Sequence, residues 1–134
     1  MLEFIKVYLI AVVIFFVIDM LWLGLIANKL YQTELGHLLS PNVKWVPAII
    51  FYLIFIAGLA VFVIMPGVEK GSLINVILLG AFFGLVTYAT YDLTNYATLK
   101  DFPLNIVIID LIWGVFIGTV TSTLTYLLYT GVFK

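Results

Sequence analysis

The chain has 134 residues, of which 65% are hydrophobic and 10% charged, with a formal net charge of -1 and a mean hydropathy of +1.26. A soluble domain cannot hide that much apolar surface, and a net charge so near zero gives no reason to expect a nucleic-acid partner. There is no cysteine, which excludes disulfides, thiolate metal sites, haem or iron–sulfur ligation by cysteine, and cysteine nucleophiles; there is no arginine either, which removes the usual bidentate clamp for phosphate or carboxylate.

Apolar runs at 4–28, 46–65, 73–97 and 104–129 are each long enough to cross a bilayer, which takes about 20 residues. They predict an all-α fold, an integral membrane bundle of four transmembrane helices forming a single domain over residues 1–134. A transmembrane barrel needs strands of about 10 residues with alternating polarity, and these runs are too long and too uniformly apolar for that. The first run is longer than the apolar part of a secretory signal and no small-residue cleavage site follows it, so it reads as a span that is kept. The breaks "NKLYQTELGHLLSPNVKW", "PGVEKGS" and "TLKDFP" each carry the proline or glycine that ends or restarts a helix.

Span 1 contains Asp19 within "DMLWLG", with Trp22 one turn later on the same face. The loop after it carries the chain's one histidine, His37. There Leu30, Leu35, Leu38 and Leu39 predict the buried side of a short interfacial helix, with Glu34 and His37 three residues apart. Span 2 offers Tyr52 alone among polar groups and reads as a packing and lipid-facing helix, with Trp45 an anchor at its interface. On span 3, Tyr88, Tyr91, Asp92, Asn95 and Tyr96 follow the i, i+3, i+4, i+7, i+8 pattern of one helix face. Span 4 repeats the Asp-x-x-Trp spacing in "DLIWGV", with Asp110 and Trp113, begins near Asn105, and continues below Asp110 as a stripe of Gly114, Gly118, Thr121 and Thr125. Either indole could donate to a carboxylate or wall off a pocket. "GAFFG" at 80–84 and "GVFIG" at 114–118 are both Gly-x-x-x-Gly, the spacing that lets two membrane helices approach closely, and predict contact between spans 3 and 4.

Glu3, Glu34, Glu69 and Asp101 fall at span ends or in loops, where solvation accounts for them. Asp19, Asp92 and Asp110 fall inside apolar runs, at a cost of about 2.5–3.5 kcal/mol each near a helix centre. Counting helical rise from the face opposite the termini puts Asp19 about 13 Å deep, Asp92 about 8 Å and Asp110 about 9 Å. Three carboxylates from three spans therefore reach one layer, where their charges need protons, a cation or a basic partner to coexist. Lys29, Lys44 and Lys100 lie at that face and could reach inward by snorkelling. Lys6, Lys70 and Lys134 lie on the other side, so the flanking charge ties and the free amino terminus alone favours cytoplasmic termini.

Four spans, the paired "DMLW" and "DLIW" elements, and "YDLTNYATLKDFP" leading into span 4 make the chain resemble a family of small predicted bacterial membrane proteins, domain of unknown function 2177. The resemblance covers nearly the whole chain and is strongest in the Tyr-Asp-x-Thr-Asn-x-Ala-Thr block at 91–98; it implies a multi-pass protein of the bacterial cytoplasmic membrane and brings no mechanism. By looser analogy the chain is similar to the small multidrug resistance transporters, which have four spans, about this length, and an acidic residue in the first span that exchanges protons for a cationic drug. Asp19 would match that acid. The sequence departs from the pattern in having three membrane aspartates in place of one glutamate, and a longer first loop.

Three function classes follow. The leading expectation is a site that binds or transports a proton, a metal or an organic cation, built from Asp19, Asp92, Asp110, Tyr88, Tyr91, Asn95, Trp22 and Trp113, with aspartates as counter-charges and aromatic rings as walls. A metal would draw its ligands from Asp19, Asp92, Asp110 and His37. The second class is a membrane-embedded enzyme acting on a lipid or isoprenoid, with one aspartate as general acid or base. The third is a scaffold subunit whose polar layer only assembles helices. The expected partners are the lipid bilayer and a cation or lipid-like ligand, and homo-oligomers stay open.

Overall fold

A computed structural model describes residues 1–39, 42 and 44–133. Among the described residues four helices are long and apolar enough to cross a membrane: α1 (Leu2–Leu35), α2 (Trp45–Lys70), α3 (Leu73–Thr98) and α4 (Leu104–Phe133). Pro41, expected to help separate the first two spans, and Lys134, counted on the side of the termini, lie outside the described residues.

The long aliphatic stretches make these helices, and their outward faces stay apolar because lipid is their solvent. Leu9, Val13 and Val17 of α1, Ile54 and Phe62 of α2, Ile74 and Phe82 of α3, and Ile112 of α4 are all exposed on the isolated bundle. Inward, Val7, Ala11 and Phe15 pack with Phe55, Ile56, Leu59 and Val63, and with Ile117 and Tyr126. Trp45 is exposed at the start of α2, as an interfacial anchor is.

Three helix ends run past the sequence reading, α4 reaching Phe133 through a π-helical stretch over Tyr129–Phe133. α1 does not stop near Asn28; a π-helical stretch over Trp22–Ala27 carries it into a last α-helical segment, Asn28–Leu35. Leu30, Tyr31 and Leu35 of that segment pack against Phe102, Ile106, Val107 and Leu111. Its apolar side thus meets α4 instead of the membrane interface, while Leu38 and Leu39 remain exposed beyond it. α2 likewise continues past residue 65 to Lys70. A proline inside a helix lacks an N–H and clashes with the carbonyl four residues back; the π-helical stretch Ala60–Ile64 lies immediately before Met65 and Pro66 and gives the ring the wider turn that avoids this. The true stop is Gly71, left-handed at φ 63°, after which Ser72 caps α3 by accepting from the Asn75 N–H at 3.2 Å.

α3 and α4 form the most intimate pair in the bundle. Gly80 faces Gly118, and Gly84 faces Gly114: a Cβ on Gly80 would stand 2.8 Å from the Gly118 carbonyl oxygen, and one on Gly114 would stand 2.8 Å from the Gly84 oxygen and 2.6 Å from Cγ of Tyr88. The two Gly-x-x-x-Gly elements therefore interlock, running antiparallel. This contact sets Asp92 on α3 opposite Asp110 on α4.

Candidate functional site

Above the apolar core, toward the face opposite the termini, the four helices enclose a cavity of about 440 Å³ lined by Asp19, Trp22, Leu23, Tyr31, Ala48, Phe51, Tyr52, Thr87, Tyr88, Tyr91, Asp92, Asp110 and Trp113. Its volume lies in the range of about 300–1,000 Å³ typical of ligand pockets. All three membrane aspartates reach it, and all three are buried, with exposures of 3% for Asp19, 0% for Asp92 and 8% for Asp110.

Each carboxylate meets a different environment. Asp110 accepts a short hydrogen bond from the Tyr31 hydroxyl, 2.5 Å away, and that hydroxyl in turn accepts from the Trp22 indole N–H at 3.4 Å. Asp19 has the Tyr52 hydroxyl and the Trp113 indole within its reach, while its Oδ2 has no hydrogen-bond partner among the described residues. Asp92 lies directly beside Asp110, within hydrogen-bonding reach of it once either carboxyl group carries a proton, and among the described residues its oxygens have no other partner. Buried polar atoms are nearly always paired, and a buried carboxyl group whose neighbour is another carboxyl group needs a proton or a cation at that point.

The walls are aromatic. The Trp22 and Trp113 rings stack with centroids 4.4 Å apart and planes 11° from parallel. Tyr88 packs edge-on against Phe55 at 6.1 Å, and Tyr52 lies against Phe15 at 5.4 Å. Electron-rich ring faces beside carboxylates suit a cation, and bulky alkylated cations most of all.

Among the described residues no base lines the cavity. Lys29, Lys44 and Lys100 are exposed and none of them lines the cavity, so the snorkelling expected of them does not supply a counter-charge. His37 is exposed as well, with its Nε2 3.1 Å from the backbone carbonyl of Asp101, and takes no part in the cavity. Among the described residues no three His, Cys, Asp or Glu side chains are grouped to hold a metal ion. Of the candidate metal ligands Asp19, Asp92, Asp110 and His37, the three aspartates line the cavity and His37 does not.

Of the remaining expected residues, Trp22, Trp113, Tyr88 and Tyr91 line the cavity, whereas Asn95 is half-buried one turn beyond it, within reach of the Tyr91 side chain. Asn105 is exposed. Thr121, Ser122 and Thr125 are fully buried below the cavity with hydroxyls that have no hydrogen-bond partner among the described residues. Two tyrosines were missed by sequence reasoning. Tyr52, read as part of a lipid-facing span, in fact faces inward beside Asp19; its position seven residues into α2, about 10 Å below the helix start, was a usable sign that it shares the aspartate layer. Tyr31 belongs to the segment read as a short interfacial helix in the first loop, outside the membrane layer, where no reason pointed to the aspartates.

Comparison with curated proteins and with solved structures finds no match to this chain. A family model described as a predicted membrane protein, DUF2177, matches residues 4–127, nearly the whole of the four-helix bundle, and the chain belongs to that family.

Proposed function

We propose that this membrane protein binds an organic cation inside the bilayer, in the cavity between Asp19, Asp92 and Asp110, and that binding is exchanged against protons on those carboxyl groups. The observation that carries the reading is Asp92, fully buried, beside a second buried aspartate, and with no other partner for its oxygens among the described residues. A carboxylate so placed is costly unless a cation or a proton neutralises it. The stacked tryptophans and the tyrosine walls favour a substituted ammonium group over a metal ion, for which no group of three ligands is found among the described residues. Exchange of this kind is the elementary step of a proton-coupled transporter of the bacterial inner membrane. With cytoplasmic termini, the cavity lies toward the outer face.

A second reading rests on the same pair. Two facing carboxyl groups, one holding a proton and the other taking one, are the equipment of general acid–base catalysis, and a membrane enzyme acting on a lipid or isoprenoid would use Asp92 and Asp110 in that way.

Asp92→Asn separates these readings from a purely structural role. The amide is nearly isosteric and cheaper to bury, so we expect its unfolding free energy in detergent to stay within about 1 kcal/mol of the parent. The rise in melting temperature caused by tetraalkylammonium ions is expected to disappear. A large loss of stability, with no cation-induced shift even in the parent protein, would assign the aspartates to helix assembly.

A further inference from the structure

Three sides of the cavity are closed. Trp22, Tyr31 and Asp110 tie α1 to α4, and the end of α1 packs down on Phe102, Ile106 and Val107. α3 and α4 interlock at their glycines. α2 lies against α1 at the cavity itself, where Tyr52 packs on Phe16 at 5.6 Å and its hydroxyl reaches Asp19.

The fourth side is different. Among the described residues, α2 meets α3 on the half nearer the termini, where Phe55 packs on Phe83 at 5.5 Å and Ala60–Ile64 runs along α3. Nearer the cavity the two helices part. Phe51 on α2 and Tyr91 on α3 both line the cavity, yet they are 46% and 59% exposed, so they form its rim. Between them Thr87 returns its hydroxyl to the Phe83 and Gly84 carbonyls at 2.9 and 3.1 Å, which leaves that residue no hydroxyl to offer the opening. Phe51 is about 9 Å below the start of α2 and Tyr91 about 10 Å below the end of α3, a depth that faces lipid chains and not water in a hydrocarbon layer about 30 Å thick.

We propose that the gap between Phe51 and Tyr91 is a lateral portal to the bilayer, and that the ligand is an amphiphile whose cationic head occupies the aspartate cavity while its aliphatic chain passes between α2 and α3 into the lipid. This rests on the cation reading above and specifies the class of cation. A head group alone would have to cross a greasy rim, whereas an amphiphile already resident in the membrane presents its charge at this depth and leaves its chain in hydrocarbon. The aspartates supply the counter-charge, and the rim supplies ring faces, with the Tyr91 hydroxyl within reach of Asn95.

The test uses the full chain in neutral maltoside micelles with dodecyltrimethylammonium carrying a photoreactive diazirine midway along its chain, and the matching dodecanol probe. Illumination and peptide mapping are expected to place the label on Ala48, Phe51, Thr87 or Tyr91, about tenfold more heavily for the ammonium than for the alcohol, and to lose that preference in Asp92→Asn. Ala48→Trp, which fills the slot, is expected to reduce rim labelling about fivefold or more, with Thr87→Phe as the second blocking variant if the first does not fold. Equal labelling by the alcohol, or labelling spread over the outward faces of all four helices, overturns the portal. Calorimetry with tetramethylammonium keeps the two ideas apart: if that ion binds and the rim is not labelled, the portal fails and the cation site stands. If neither ion binds, both fail.

Discussion

Trp22 and Trp113 lie face to face, centroids 4.4 Å apart, and each indole serves the aspartate of the other helix. Trp113 reaches Asp19 on α1, and Trp22 reaches Asp110 on α4 through the Tyr31 hydroxyl. The two Asp-x-x-Trp elements run antiparallel, so the tryptophan that follows one carboxylate by a turn comes level with the other. Stacked aromatic pairs contribute about 0.5–1.5 kcal/mol beyond the area they bury. A double-mutant cycle of Trp22→Leu and Trp113→Leu, read by reversible unfolding in mixed detergent, is expected to give a coupling energy in that range. Strictly additive losses would mean that the rings share a wall without stabilising each other.

Tyr31 is the bridge between this pair and Asp110, and Tyr31→Phe removes one oxygen from two hydrogen bonds. A hydrogen bond to a charged group contributes about 1.5–3 kcal/mol, and the change also leaves the Trp22 N–H without its acceptor. We expect unfolding to become easier by roughly 1–3 kcal/mol, and the segment Asn28–Leu35 to lose hydrogen-exchange protection before the rest of α1 does. Unchanged protection there would show that Leu30 and Leu35 alone hold the segment on α4.

The four spans, and the contact of α3 with α4, were legible because membrane helices have one dominant requirement, a long apolar run, and because Gly-x-x-x-Gly spacing has few other uses. The common depth of Asp19, Asp92 and Asp110 could be counted because helical rise is nearly constant. What could not be counted was rotation. At about 100° per residue an uninterrupted α-helix places Tyr31 half a turn away from Trp22; the wider turns of the π-helical stretch Trp22–Ala27 bring it back to the same side, and no residue in "WLGLIA" announces that stretch. Tyr52 was hidden for another reason: a single polar residue makes no stripe, so its face was set by packing of Phe15 and Phe16 against it.

The glycine contact that sets Asp92 beside Asp110 also gives a stability prediction. On Gly84 a Cβ would overlap the Gly114 carbonyl, and backbone cannot yield as a flexible side chain does. Gly84→Ala is expected to cost about 1–3 kcal/mol by overpacking, and to weaken cation binding as the two aspartates are pushed apart. Gly131→Ala, where a Cβ meets nothing within 4 Å, is the matched control. Melting of both variants in the same detergent measures the difference, and equal melting would show that α3 and α4 separate at little cost.

Proton release distinguishes cation exchange from the other readings. A carboxyl group that holds a proton offers no counter-charge, so a proton and an organic cation compete for the same buried groups, and each lowers the apparent affinity for the other. The sign follows: cation affinity falls as the pH is lowered, and binding at fixed pH releases protons into the medium. No cavity-lining lysine can absorb them, since Lys29, Lys44 and Lys100 are all exposed elsewhere. Adding dodecyltrimethylammonium to the protein in weakly buffered maltoside should therefore acidify the solution, saturating with the same midpoint as the rise in melting temperature. Asp19→Asn combined with Asp92→Asn should abolish the signal while the helices stay folded by circular dichroism. Binding without acidification at any pH would mean that the aspartates are already charged before the cation arrives, and that exchange is not the mechanism.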